Sequence, residues 1–230
     1  MNRLALLALA AGLGALAITA APTTAIAAEE AVNAPAPKRV AKEGAGLKTA
    51  IFAGGCFWGV EGVFSHVKGV KSAVSGYHGG SSGTAKYKSI IAGGTNHAEA
   101  VKITYDPYVV RYDELLRIFF SVVADPTLKN RQGPDVGTHY RSALVPMNAE
   151  QEAVAKAYLK QMGQSGVWGR PIVTRVESFR KFYPAEAYHQ DFMLKNPRHG
   201  YILRWDKPKV QALKAMFPND YRSSFLRDAA

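Results

Sequence analysis

Cys56 is the single cysteine among the 230 residues of the chain. One cysteine excludes an intrachain disulfide framework, a cysteine-based zinc finger and an all-cysteine iron–sulfur site. Hydrophobic residues make up 47% of the sequence and charged residues 20%, which is ordinary for a folded globular chain and excludes wholesale disorder. At this length we expect one or two domains, and one larger domain is the simpler arrangement.

Residues 1–27 have the order of a secretory signal. A short positive end with Arg3 is followed by an apolar run over 4–21, and Ala-Ile-Ala at 25–27 supplies small residues at the expected cleavage site. We expect cleavage after Ala27 and a periplasmic or secreted protein. An uncleaved membrane anchor is the alternative, because about 18 apolar residues can just span a bilayer.

The rest of the sequence divides into a linker and one folded domain. Residues 28–46 contain two prolines and two glycines among mixed charges, a composition that predicts a flexible linker. The folded domain is expected over 47–230, including the C-terminal tail, and a monomer is expected. The net charge is +11, but the basic residues are spread along the chain. We therefore interpret the charge as solubility and surface adhesion and expect no nucleic-acid partner.

The hydrophobic pattern of the domain mixes strands and helices without regular βαβ alternation. This order predicts the α+β class, as a two-layer α/β sandwich with a ferredoxin-like core and a mostly antiparallel sheet. Apolar runs and alternation predict strands, and apolar spacing of three to four residues predicts helices. Strands are expected at 47–53, 70–77, 98–105, 140–145 and 172–176, and helices at 56–67, 112–124, 148–162 and 185–194.

Cys56 follows a Gly-Gly turn between a predicted strand and a predicted helix, which places its sulfur at a helix N-terminus. Backbone N–H groups and the helix dipole are expected to stabilise the thiolate and to lower the pKa of the thiol from about 8.5. A buried structural cysteine is the alternative. The strand–Gly-Gly–Cys–helix context favours a reactive thiol.

Two residues that follow Cys56 and one residue of the predicted strand 98–105 suggest a pocket with an acid. Phe57 and Trp58 can line an apolar pocket for a small methyl-bearing group, although ordinary core packing would explain them too. Glu99 shares one face of a strand with Val101 and is expected to have a raised pKa, as a general acid requires. A paired or rim-exposed glutamate is the alternative.

Four further polar residues are weaker candidates, since each alone is more often structural. Tyr77 and Tyr140 can donate hydrogen bonds to an oxyanion-like oxygen. Asp135 and His189 can orient a ligand. The six histidines lack metal-ligand spacing, so no metal is expected, and neither G-x-G-x-x-G nor a P-loop is present, so no nucleotide cofactor is expected.

Ordered sequence blocks between about residues 50 and 197 resemble the A-type peptide methionine sulfoxide reductases. One such block could arise by chance, but several in the same order are specific. The family has an α+β fold with a ferredoxin-like core, in agreement with the pattern above. The blocks are 54–61 (GGCFWGVE), 74–80 (VSGYHGG), 96–101 (NHAEAV), 105–107 (YDP), 131–142 (RQGPDVGTHYRS) and 185–190 (AEAYHQ).

The resemblance implies a reaction for these residues. The Cys56 thiolate would attack the sulfur of methionine-S-sulfoxide while Glu99 supplies a proton to the oxygen, giving methionine and a Cys56 sulfenic acid. No cofactor would be needed. The remaining roles are hydrogen bonds to the oxygen from Tyr77 and Tyr140, methyl binding by Phe57 and Trp58, and rim or orienting positions for Asp135 and His189.

The chain departs from the family pattern in two places. Many members carry C-terminal resolving cysteines, but residues 196–230 contain none. The sulfenic acid would then be reduced by an external thiol, such as a thioredoxin-like or glutaredoxin-like protein or dithiothreitol. Phe192 stands where members often have a tyrosine, so a hydroxyl at the substrate rim is expected to be missing.

Two other functions are compatible with parts of the sequence. A secreted cysteine hydrolase would use Cys56 with His97, His139 or His189 as the base for acyl transfer. A basic binding module would have an inert thiol. The hydrolase needs an imidazole within hydrogen-bond reach of Cys56, whereas the reductase needs the Glu99 carboxyl near it.

Overall fold

A computed structural model describes residues 30–227 of the chain. The predicted signal over 1–27 lies outside the described residues. Within the described part, no helix is both long and apolar enough to cross a membrane. The strands are β1 Lys48–Gly54, β2 Val70–His78, β3 Ala98–Tyr105, β4 Arg131–Gln132, β5 Asp135–Val136, β6 Ser142–Val145, β7 Arg175–Val176 and β8 Phe182–Pro184. The helices are α1 Phe57–Phe64, α2 Tyr87–Ile91, α3 Tyr112–Ile118, α4 Ala149–Gly163, α5 Phe192–Lys195 and α6 Lys207–Met216.

One six-stranded sheet has the order β7-β6-β1-β3-β2-β8, and β4 pairs with β5 in a separate small hairpin. The sequence predicts a mostly antiparallel sheet, but the sheet is mixed. β6 and β7 pair in parallel, whereas the pairs β1–β3, β1–β6, β2–β3 and β2–β8 are antiparallel. The parallel pair follows from the long crossover through α4, which returns the chain to the same end of the sheet.

The two faces of the sheet pack differently, as the alternation of β3 predicts. Val101, Ile103 and Tyr105 belong to the main core together with residues of α1, α3 and α4. Ala98 and Ala100 point to the opposite face, where a smaller apolar cluster is closed by Met147 and Phe182. Because side chains alternate along a strand, Glu99 is directed to the helical face.

The late helix predicted over 185–194 is broken in the structure. A single turn at 187–189 is followed by Asp191 with φ 55°, and only then does α5 begin. The backbone N–H of Asp191 donates to Glu61 Oε1 at 3.0 Å, and the Gln190 side chain bonds the backbone of Ser75. These tertiary bonds replace the helical ones. The strand predicted over 172–176 likewise contracts to β7.

The described part of the predicted flexible linker is packed onto the domain. Residues 30–46 contain no helix or strand, yet Ala34 and Ala41 are buried. The Glu43 carboxylate accepts hydrogen bonds from the Tyr105 hydroxyl and, at 2.9 Å, from the backbone N–H of Tyr112. Tyr112 begins α3, so Glu43 satisfies one of the N–H groups that a helix N-terminus leaves without an intrahelical partner. The composition of this segment predicted flexibility, because composition contains no information about hydrogen bonds to residues that are distant in sequence.

Replacing Glu43 is expected to destabilise the fold. Glu43→Ala removes the acceptor of two hydrogen bonds, one of them to the buried Tyr105, and should lower the free energy of unfolding by about 1–3 kcal/mol. Urea denaturation followed by circular dichroism measures this. Glu152→Ala is the control, because Glu152 makes only an exposed i,i+4 pair with Lys156 and should change the value by less than about 0.5 kcal/mol. Equal effects of the two variants would contradict the docking of this segment.

Candidate active site

The turn between β1 and α1 places Cys56 at the start of the helix, as predicted. Gly55 has φ 86°, and a Cβ there would lie 2.6 Å from Gln132 Cβ, so only glycine fits this turn without displacing Gln132. Cys56 is the N-cap residue of α1 and is partly exposed. The nucleophile is therefore fixed by a tight turn beside the β4–β5 hairpin.

The prediction that the Cys56 thiol has a lowered pKa is wrong for the protein without substrate. Burial raises its pKa well above the ordinary value, and the acidic groups Glu99, Asp206 and Asp135, which are ionised at the alkaline pH where the thiol would lose its proton, raise it further. The backbone N–H of Trp58 acts in the opposite direction but does not compensate. One N–H dipole is weaker than desolvation combined with nearby like charges. Cys56 therefore holds its proton in the resting site.

Glu99 is buried beside the same helix turn and has the raised pKa that the sequence predicts. It is 1% exposed, and its Oε2 accepts a hydrogen bond from the backbone N–H of Phe57 at 3.0 Å. Burial, with smaller contributions from Asp135 and Asp206, raises its pKa to about 8, against the lowering effect of the Phe57 N–H. Glu99 is thus a protonated acid at neutral pH, next to the residue that follows Cys56.

Phe57 and Trp58 form an apolar wall next to Cys56. Phe57 is buried, and Trp58 is partly exposed. The Trp58 ring lies parallel to the Phe192 ring with 3.7 Å between centroids and 5° between planes. Phe192 therefore supplies a stacking surface at the position where the resemblance led us to expect a missing hydroxyl.

His189 lies behind this wall and not at the rim. It is 1% exposed, and its Nδ1 accepts a hydrogen bond from Trp58 Nε1 at 3.1 Å. Burial lowers its pKa, which keeps the imidazole neutral and able to accept. His189 thus orients the Trp58 indole.

Besides burial, the negative charge of Glu99 raises the pKa of both Tyr77 and Tyr87, but only Tyr87 is also influenced by Cys56. Tyr77 pairs with Glu99 in the β2–β3 register, but its hydroxyl donates to Glu186 Oε2 at 2.8 Å. Tyr87, which the sequence analysis did not select, responds to the reacting groups. Burial raises its pKa to about 12, and the charges of Glu99 and Cys56 contribute. The signal for Tyr87 was weak, since it begins a five-residue helix after a glycine-rich loop.

Tyr140 and Asp135 face the same site from the β4–β5 side. Burial raises the pKa of Tyr140, followed by the charges of Glu99 and Asp135 and of Cys56. Asp135 accepts a hydrogen bond from the hydroxyl of Tyr201, whose ring meets Trp58 edge-on at 5.9 Å. Tyr201 belongs to the C-terminal segment, so this segment closes one side of the site.

The histidines proposed as bases for a hydrolase have other partners. The ring nitrogens of His97 lie 2.9 Å from Ser81 O and 3.2 Å from Gly80 N. His189 bonds Trp58, and His139 packs against the Tyr140 ring. Glu99, by contrast, influences the Cys56 thiol directly. The residue pair is that of an acid-assisted thiol. Over residues 30–227 no group of three or more His, Cys, Asp or Glu side chains is arranged to hold a metal ion.

Comparisons with known proteins agree with this chemistry. Residues 48–221 match the family model described as peptide methionine sulfoxide reductase. The chain is 52% identical over 180 residues to peptide methionine sulfoxide reductase MsrA 2 of Mesorhizobium japonicum, covering 78% of this chain and 92% of that protein. It is 48% identical over 178 residues to peptide methionine sulfoxide reductase MsrA 2 of Synechocystis, covering 77% and 83%.

Two solved structures are similar to most of this fold. The reduced form of Mxr1 from Saccharomyces cerevisiae superposes with a TM-score of 0.60 at 34% identity, covering 70% of this chain and 92% of that one. Methionine sulfoxide reductase A of Corynebacterium diphtheriae gives 0.58 at 31% identity, covering 67% and 77%. Both share the mixed α/β fold described above.

The raised pKa of Glu99 should be measurable as a pH-dependent cost to stability. The pKa rises from 4.5 to about 8 on folding, so between these values the folded state retains a proton that the unfolded chain releases. Stability contributed by the neutral carboxyl is therefore lost as pH rises from about 5 to about 8. Relative to Glu99→Gln, the free energy of unfolding of the wild type should fall by about 2–4 kcal/mol across this range.

Urea titrations of both proteins at several pH values give that difference. The difference is used because the buried His78 and His189, whose pKa values are lowered, change stability with pH in the opposite direction in both proteins. A difference independent of pH would contradict the protonated state of Glu99.

Proposed function

The chain belongs to the peptide methionine sulfoxide reductase family, and we propose that Cys56 takes the oxygen of methionine-S-sulfoxide, free or in proteins. The products are methionine and a Cys56 sulfenic acid. The observation that supports this most directly is the position of Glu99. It is buried and protonated, and it accepts a hydrogen bond from the N–H of Phe57, the residue that follows the only cysteine. The role in the cell is repair of oxidised proteins.

The proton balance follows from the resting state of the site. Cys56 and Glu99 both hold protons at neutral pH. As the Cys56 sulfur attacks the sulfoxide sulfur, Glu99 donates its proton to the sulfoxide oxygen, which makes the oxygen a better leaving group. The carboxylate that remains accepts the thiol proton. In sum, Cys–SH and a sulfoxide give Cys–SOH and a thioether, so the cysteine sulfur is oxidised and the methionine sulfur is reduced.

Two hydroxyl groups are proposed to hold the sulfoxide oxygen. Tyr87 and Tyr140 both respond to the charges of Glu99 and Cys56, and burial keeps both hydroxyls protonated. Such donors stabilise negative charge that develops on the oxygen. Tyr87 takes the place in the mechanism that the sequence analysis gave to Tyr77. The Phe57–Trp58 wall, supported by the stacked Phe192, binds the substrate methyl group.

Regeneration is proposed to need an external thiol. The chain has one cysteine, so an intramolecular disulfide cannot form after the sulfenic acid. Two thiol equivalents reduce Cys–SOH to Cys–SH, with release of water and one disulfide. A thioredoxin-like or glutaredoxin-like protein supplies these thiols, and dithiothreitol replaces it in vitro. The protein works without a bound cofactor, as a monomer.

The location and the core topology are further proposals. Residues 1–27 have signal-like order, which supports a periplasmic or secreted enzyme, or an anchored one if the signal is not cleaved. The antiparallel order β6-β1-β3-β2, with α1 after β1 and α3 before β6, supports a ferredoxin-like core inside the mixed sheet.

The proposed function is tested by turnover of methionine-S-sulfoxide with dithiothreitol. Cys56→Ser should lose activity by at least about 1,000-fold, because a hydroxyl is a far weaker nucleophile than a thiol at neutral pH. Mass spectrometry after one turnover without reductant should show one added oxygen at Cys56 in the wild type. Equal rates for wild type and Cys56→Ser would exclude the mechanism.

Substitution of Tyr87 and of Tyr77 should distinguish a catalytic hydroxyl from a structural one. Tyr87→Phe is expected to lower kcat by about 10- to 100-fold with little change in KM, because the hydroxyl acts on charge that develops in the transition state. Tyr77→Phe is the matched control. It removes a hydroxyl bonded to Glu186, and it should change thermal stability more than kcat. The reverse result would return the role to Tyr77.

A further inference from the structure

Asp206 is a buried carboxylate that the reaction described above does not use. It ends the turn at 202–206 and precedes α6, and it is 1% exposed. A Cβ added to Gly59 would lie 2.3 Å from Asp206 Oδ1, so the carboxylate is in contact with the first turn of α1. The C-terminal segment therefore places a carboxyl group against Gly59, three residues after Cys56.

The influence of Asp206 reaches the groups that exchange protons. Its negative charge raises the pKa of Cys56, of Glu99 and of Tyr201. Charges inside a protein act over longer distances than in water because the local dielectric is low. Glycine at position 59 is required for this approach, since any larger residue would displace the carboxylate.

The surroundings of Glu99 show that negative charge dominates there. Burial and the negative charges of Asp135 and Asp206 raise the pKa of Glu99, and the hydrogen bond from the N–H of Phe57 lowers it. The titratable and charged groups that face it are Cys56 at the start of α1, Tyr77 on β2, Tyr87 on α2, Asp135 on β5, Tyr140 in the turn at 138–140, and Asp206 before α6.

We propose that Asp206 is a positioning residue of the reductase site: its carboxylate, held against Gly59, keeps the protons on Glu99 and Cys56 until the sulfoxide binds. This deepens the proposed function and rests on it. Asp135 accepts a hydrogen bond from Tyr201, whereas the Asp206 carboxylate packs against Gly59 of α1. Asp206 thus supplies charge without transferring a proton.

Ionisation of Cys56 tests this without substrate. Cys56 is the only cysteine, so thiolate absorbance near 240 nm, corrected with Cys56→Ser, reports this group alone. Asp206→Asn should lower the pH of half-ionisation by at least about 0.5, a threefold change in the ionised fraction at a given pH below it. Asp220→Asn, in the same C-terminal region, is the control and should leave the titration unchanged. A titration of Asp206→Asn that superimposes on the wild type overturns the proposal.

A second pair of variants covers the case in which Asp206→Asn does not fold. Gly59→Ala places a methyl group against the Asp206 carboxylate and should shift the Cys56 titration in the same direction. Gly62→Ala is the matched control on the same helix, because its Cβ would displace the uncharged Met193 Cε at 2.3 Å. Equal titrations of Gly59→Ala and Gly62→Ala overturn the proposal.

The reductase step gives an independent readout through Glu99. In single turnovers, the alkaline fall in rate should begin at lower pH in Asp206→Asn, with about twofold less activity near pH 8 than at pH 6 relative to wild type. A uniform loss at every pH would assign Asp206 a packing role only and overturn the proposal. If the wild type does not reduce methionine sulfoxide, the proposed function fails, while the Cys56 titration still decides the influence of Asp206.

Discussion

The hydrogen bond from the Phe57 N–H to Glu99 joins the sheet to the helix that begins at Cys56, and the rest of the site is arranged around it. It fixes a carboxyl group of β3 against the first turn of α1. One N–H group does not compensate for the burial of a charged carboxylate, so Glu99 holds its proton at neutral pH. The acid required by a sulfoxide reductase is thus produced by packing.

The same low-dielectric environment controls the nucleophile. A helix N-terminus usually favours a thiolate, but here burial opposes it, and the neighbouring acidic groups Glu99, Asp206 and Asp135 oppose it further. A protonated thiol is less open to oxidation by other agents, because the thiolate is the reactive form. In the proposed mechanism, release of the thiol proton accompanies arrival of the sulfoxide, whose oxygen takes a proton from Glu99.

The C-terminal segment contributes several side chains to the site beside the motif near Cys56. Phe192 stacks on Trp58, Tyr201 bonds Asp135, and Asp206 touches Gly59. These contacts bring a region of the chain that has no cysteine into the reductase site. The chain lacks an internal thiol for regeneration, and this segment instead builds the aromatic wall and part of the electrostatic field.

The sequence by itself determined the strand–turn–helix at Cys56, the whole of β3 and the face on which Glu99 lies, because local alternation and glycine placement specify these features. It also indicated the reductase family. Tertiary structure decided that the Tyr77 hydroxyl bonds Glu186, that the thiol keeps its proton, and that Glu43 docks the N-terminal segment. It also broke the predicted late helix at Asp191. Each of these depends on partners distant in sequence, and local patterns contain no information about such contacts or about the desolvation they cause.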